Sequence, residues 1–213
     1  LILPSVLFVQ AFAQGSFPPE ADAIGTTAIH KDSSVFSGWA TTCIVTRGPQ
    51  NILDPSLGLA SSGVASNATG HSGQYGTVSL GDGGTALLTF YYPIVNGPGP
   101  DFAVFENAFN HYFLELAFVE VSSNGVDFVR FPSYSETPTN NQVGGFDQLD
   151  PTAIHNLAGK YKVNYGTPFD LEDLIDSTMI DVNNINYIRI IDVVGLINSQ
   201  YTTYDVDGNM VND

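Results

Sequence analysis

The sequence predicts an all-β protein, an antiparallel β-sandwich of the jelly-roll type carrying one small helical insertion. Three observations carry that prediction. β-Branched and aromatic runs of strand length recur along the chain, turns rich in Gly, Asn and Pro separate them, and helix signals are confined to one stretch. Core material is ample: 43% of residues are hydrophobic, with 14 Phe and 10 Tyr. At 213 residues the chain fits one domain of this class.

The elements follow in order. Residues 1–13 (LILPSVLFVQAFA) form an uncharged apolar run ending in Ala11-Phe12-Ala13, which reads as the remnant of a secretory signal and its cleavage site. The run is too short to span a bilayer, and no other segment has the length and apolarity to do so. Residues 14–213 then form a single jelly-roll domain. Pro18-Pro19 marks an extended lead-in, and 41–46 is a β-branched strand. The Gly-, Ser- and Asn-rich stretch 48–76 is a long loop, of a length that is usually functional or disordered. Strands are predicted at 77–80, 85–92, 102–106, 114–122, 126–131 and 187–194. The turns are Gly81-Asp82-Gly83-Gly84, Asn96-Gly97-Pro98-Gly99 and the hairpin signal Asn124-Gly125. The helical insertion is placed at 149–176. There Asp150 caps a segment with Pro151 at its first position and Gly159 at its close, and Asp170 caps 171–175.

Charge bounds the function. Six Lys and Arg stand against 22 Asp and Glu, for a formal net charge of -16. Neutralising phosphates needs clustered cations, so nucleic acid is excluded as a partner. Two compatible readings of the acidity remain: a solvated, self-repelling surface, and carboxylates gathered around a hard cation, calcium in an extracellular setting. Cys43 is the sole cysteine, so no disulfide within the chain supports the fold, and without an organised His partner it reads as an apolar core residue.

Strand parity makes the acids more specific. Residues two apart share a face. Glu106 therefore shares one with Phe102 and Val104, Glu120 with Leu114, Leu116 and Phe118, and Asp192 with Ile188, Ile190 and Val194. A carboxylate on an apolar face needs a partner. Arg130 and Arg189 can serve two of the three; a calcium ion at the rim of the sandwich is the alternative. The expected donors are Asp101, Glu106, Asn107 and Asp192, with Asp205 and Asp207 from the oxygen-rich turn Asp205-Val206-Asp207-Gly208-Asn209. That turn lacks the spacing and terminal Glu of an EF-hand, and by itself reads as a hairpin turn.

These residues also carry a resemblance. Val78-Ser-Leu-Gly-Asp-Gly-Gly-Thr-Ala-Leu-Leu-Thr-Phe90, Pro93-Ile-Val-Asn96, Asp101-Phe-Ala-Val-Phe-Glu-Asn-Ala-Phe109 and Val119-Glu-Val-Ser-Ser-Asn-Gly-Val-Asp-Phe128 occur in that order. With Phe36-Ser-Gly-Trp-Ala40, Leu157-Ala-Gly-Lys-Tyr161, Tyr165-Gly-Thr-Pro-Phe-Asp-Leu171 and Ile190-Ile-Asp-Val-Val-Gly195, the set resembles secreted cell-surface proteins of Bacteroidetes-type bacteria. Their domain is similar to the galactose-binding-like, or discoidin-like, jelly roll. The resemblance covers residues 36–209 and implies a secreted or cell-surface location. It also implies a further core strand after Asp213, so the domain is expected to be truncated before its last strand.

The functional expectation is an exported binding module for a carbohydrate or another small extracellular ligand, stabilised by calcium. Trp39, His111 and Tyr112, in or beside loops, could supply an aromatic and polar platform; Trp39 could equally be core. A polysaccharide lyase or hydrolase is the alternative, built on Glu106, His111, Tyr112 and Glu115. A purely structural or adhesive surface domain is a third. His30, His71, His111 and His155 show no short metal-ligand spacing, and no nucleophile elbow or phosphate loop is present.

Overall fold

A computed structural model of the chain describes residues 15–213; the predicted export segment lies outside the described residues. Ten strands are assigned in chain order: β1 (Ile29–His30), β2 (Thr42–Thr46), β3 (Thr85–Ile94), β4 (Phe102–Phe105), β5 (Ala117–Ser122), β6 (Val129–Arg130), β7 (Tyr134–Ser135), β8 (Ile154–His155), β9 (Tyr165–Phe169) and β10 (Ile185–Asp192). Every pairing is antiparallel. One sheet has five strands in the order β2-β3-β10-β5-β6, a second has three in the order β1-β9-β4, and β7-β8 form a small ribbon. The chain passes from β3 to β4 to β5, and from β9 to β10, switching between the two larger sheets each time. The fold is thus the expected all-β sandwich. Among the described residues no helix is long and apolar enough to cross a membrane.

The five-stranded sheet is covered on both faces, which explains why β5 is buried almost throughout. Register sets Ile188 between Leu88 and Val121, and Ile190 between Ala86 and Val119, so these residues share one face. They meet Phe102, Val104 and Phe169 of the smaller sheet in the main core. The opposite face carries Phe118 and Ile191, which pack with Leu114, Leu116, Leu149, Ile154, Leu157 and Val211 in a second core. Burying either group stabilises the fold at roughly 25 cal/mol per Å² of apolar area removed from water.

The helical insertion is corrected. Residues 149–176 hold only two short 3-10 turns, Pro151–Ala153 and Leu171–Leu174. Their caps are as read: Asp150 accepts from the Thr152 N–H at 2.9 Å, and Asp170 from the Glu172 N–H at 3.0 Å. Between them lie β8 and β9, and β9 is the centre of the three-stranded sheet. The predicted strand at 77–80 is irregular. Arg47 ties this region down, its guanidinium donating to the main-chain carbonyls of Ser62 at 2.9 Å, Gly63 at 2.8 Å and Ser79. The long loop is thereby held to the strand that precedes it.

Candidate functional site

Glu120 and its neighbours resolve one carboxylate at once. Register places Glu120 opposite Arg130 on one side and Arg189 on the other. Arg130 approaches Oε1 at 2.9 Å, and the Arg189 Nε donates to Oε2 at 2.7 Å. Each guanidinium also lies over a ring, Arg130 over Phe118 at 4.2 Å and Arg189 over Phe128 at 3.8 Å. Both arginines serve the same acid, and neither reaches Glu106 or Asp192.

Those two carboxylates sit at one end of a cleft between the sheets, about 1890 Å³ in volume. Asp192 ends β10 on the inner face, opposite Ala117, and its Oδ2 accepts from the Gly83 N–H at 3.3 Å. Burial, then Asp213 and Asp82, push its carboxyl up to about 8. Glu106 follows β4 directly; burial, opposed by the Asn107 N–H, and the nearby Glu115 push it up to about 7, and it is hydrogen bonded to Glu115. Asp213 is brought in by the chain's last residues: its N–H donates to the Gly195 carbonyl at 3.1 Å, and its Oδ2 accepts from the Leu116 N–H at 2.9 Å. Burial, with Glu115 beside it, raises Asp213 to about 7.

The other cations are engaged elsewhere. Lys162 pairs with Asp22 at 2.7 Å, Lys160 donates to the Ile154 carbonyl at 2.7 Å, and Arg47 holds its three carbonyls. Lys31 forms no ion pair among the described residues. Glu106, Asp192 and Asp213 therefore carry mutual repulsion with no basic side chain against it.

The expected donor set is only partly assembled. Glu106 and Asp192 come to the same end of the cleft, joined through Glu115 and Asp213. Asn107 is adjacent but exposed. Asp101 lies at the other end of β4, about 16 Å away at strand rise. Its oxygens accept from the Gly97 and Leu171 N–H groups at 2.8 and 2.9 Å. Asp205 stands at the far end of a hairpin from Asp213 and is 8% exposed. Its carboxylate accepts from the N–H groups of Ser135, Asp207 and Asn209 and from the Asn209 amide, so it closes the turn it sits in; Asp207 is exposed on that turn. Among the described residues no three Asp, Glu, His or Cys side chains converge closely enough to hold a metal ion as placed.

The proposed platform is likewise divided. Trp39 is half-buried at the cleft, packed on Phe36 at 5.2 Å, Phe105 at 5.5 Å and His71 at 4.8 Å. His111 faces Lys162 at 3.2 Å, its Nδ1 is buried without a partner, and Tyr112 lies 6.3 Å from it. Neither His111 nor Tyr112 lines the cleft. Sequence reasoning missed a different aromatic strip beside the acids. Phe109 and Phe146 are 78% and 93% exposed, with Phe113 between them at 5.5 and 6.1 Å. All three line the cleft. Comparison with known proteins found no matching family model, no matching curated protein and no matching solved structure.

Proposed function

We propose that the protein is an exported binding module that takes a carbohydrate at the acidic end of the cleft. The observation that carries this is the juxtaposition of the uncompensated carboxyls Glu106 and Asp192 with the exposed strip Phe109, Phe113 and Phe146. Aromatic rings stack on the apolar faces of sugar rings, while carboxyl oxygens accept from hydroxyls. The apolar run at 1–13, the acidic balance and the resemblance to secreted cell-surface proteins support an extracellular setting. Calcium fits the chemistry of the donors, since it tolerates six to eight oxygens in flexible geometry. Glu106, Glu115, Asp192 and Asp213 would have to draw together to hold it.

The rise of Glu106 to about 7, next to exposed Glu115, favours a second reading, a hydrolase using Glu106 as general acid. Against it, two carboxyls in hydrogen-bonding contact are closer than the roughly 5 Å that glycoside hydrolysis requires. His111 also faces Lys162, away from that pair.

A glycan array followed by calorimetry, with calcium and with chelator, tests the proposal. Saturable binding that weakens at least tenfold in Phe113→Ala is expected, without reducing ends released from polysaccharide. Binding indifferent to Phe113, or turnover abolished by Glu106→Gln, overturns it.

A further inference from the structure

The cleft is more than its acidic end. β4 is the outer strand of the order β1-β9-β4, paired with β9 on one side only. All four β4 residues line the cleft. An edge strand of this kind presents unpaired N–H and C=O groups, a template for one further strand. Across the cleft lies an apolar floor formed by Ala86, Leu88 and Phe90 of β3 with Ile188 and Ile190 of β10. Along β3 the floor extends from Ala86 to Ile94, about 27 Å at strand rise, enough for an extended segment of roughly eight residues. One end of this slot is marked by charge: Glu106, Asp192 and Asp213 lie there, and no Lys or Arg pairs with them.

We propose that this slot takes an extended peptide strand from another polypeptide chain, added antiparallel to β4. Its apolar side chains, at alternate positions, would lie on Leu88, Phe90, Ile188 and Ile190, and its cationic N-terminal end would meet Glu106 and Asp192. Backbone pairing supplies affinity in such strand addition, and the pockets beneath alternate residues supply specificity. Antiparallel entry puts the incoming N-terminus beside Glu106, because Glu106 follows the C-terminal end of β4. Charge complementarity selects a basic first residue over a neutral one. A glycan would leave the apolar floor without a match, and a metal ion would occupy only the acidic end. The inference stands apart from the carbohydrate reading, which concerns the aromatic strip.

The test uses the octapeptide Lys-Val-Thr-Val-Thr-Val-Thr-Val with a free N-terminus and an amidated C-terminus. It is titrated calorimetrically at pH 8 into the 213-residue protein. Saturable binding in the micromolar range is expected, with slowed hydrogen exchange at the amides of 103–105. Replacing the peptide's Lys by Glu should weaken binding at least tenfold, about 1.4 kcal/mol. Proline at its central Val and Thr positions should abolish binding. Asp192→Asn should reduce the preference for Lys over Glu, and Ile190→Trp should fill the slot. Absence of saturation, equal binding of the proline peptide, or unchanged exchange at 103–105 overturns the proposal. Concentration-dependent dimerisation that the peptide does not displace would also overturn it, assigning the slot to a second copy.

Discussion

Glu120 and Asp192 stand on neighbouring strands of one sheet, on opposite faces, and their charges are handled in opposite ways. Glu120 is 7% exposed and is held between two guanidiniums that are themselves stacked on rings. Asp192 is half-buried, receives one long hydrogen bond from Gly83, and faces other acids. The first arrangement is closed: every charge has its counter-charge within the protein. The second is open, since the group is at rest only when protonated or when something cationic or hydroxylic is brought to it. A buried carboxylate is thus no marker of function until its neighbours are known.

The largest expected effect tests the closed half. Glu120→Ala leaves two arginines facing each other across β5, and should lower unfolding free energy by about 3 kcal/mol in denaturant titration. A loss below about 1 kcal/mol would show that the pair is no more than a surface contact.

A smaller effect tests the open half. Glu106, Asp192 and Asp213 have folded-state values raised to about 7, 8 and 7, above their unfolded values. The stability they contribute is full below about pH 4 and is lost as pH rises through 7 to 8. Taken alone, these three groups should make the unliganded protein less stable at pH 8 than at pH 5, by about 2 kcal/mol after allowance for the openness of the cleft. Calcium, which binds ionised carboxylates, should narrow that gap from the alkaline side. Flat melting temperatures between pH 5 and 8, with and without calcium, would place this group with Glu120 instead.

The smallest effect separates the two acids directly. Asp192→Asn removes the ionisation that burial opposes, so at pH 8 it should stabilise by about 1 kcal/mol and shrink the pH dependence. Glu120→Gln should destabilise at every pH from 5 to 8. Equal signs for the two substitutions would break the contrast.

How far these features can be read from the sequence depends on what determines each. β5 and β10 are legible because alternation and β-branching act locally, and parity correctly groups Glu120 with Phe118 and Asp192 with Ile188 and Ile190. β9 is not, because Gly166 and Pro168 argue against a strand. Gly166 is there for packing: a Cβ on it would meet the Ala103 Cβ at 2.9 Å and the Phe105 ring. Of the candidate site, Glu106 and Asp192 are visible through parity. The contribution of Asp213 depends on the final residues being laid over Gly195, where a side chain would strike the Asp213 main chain. No periodicity encodes that contact. Asp101 and Asp205 misled for a related reason: a carboxylate that closes a turn on backbone N–H groups is, in sequence, indistinguishable from one waiting for a cation.

Arg47 has a different consequence. Its guanidinium grips the loop through the carbonyl oxygens of Ser62, Gly63 and Ser79, groups that every residue type carries. Substitutions at Ser62 and Ser79 that keep the local backbone conformation therefore leave the anchor intact, whatever side chain arrives. Most of the loop is free to diversify in sequence while its course over the sheet stays constant, and that freedom hangs on one arginine at the end of β2.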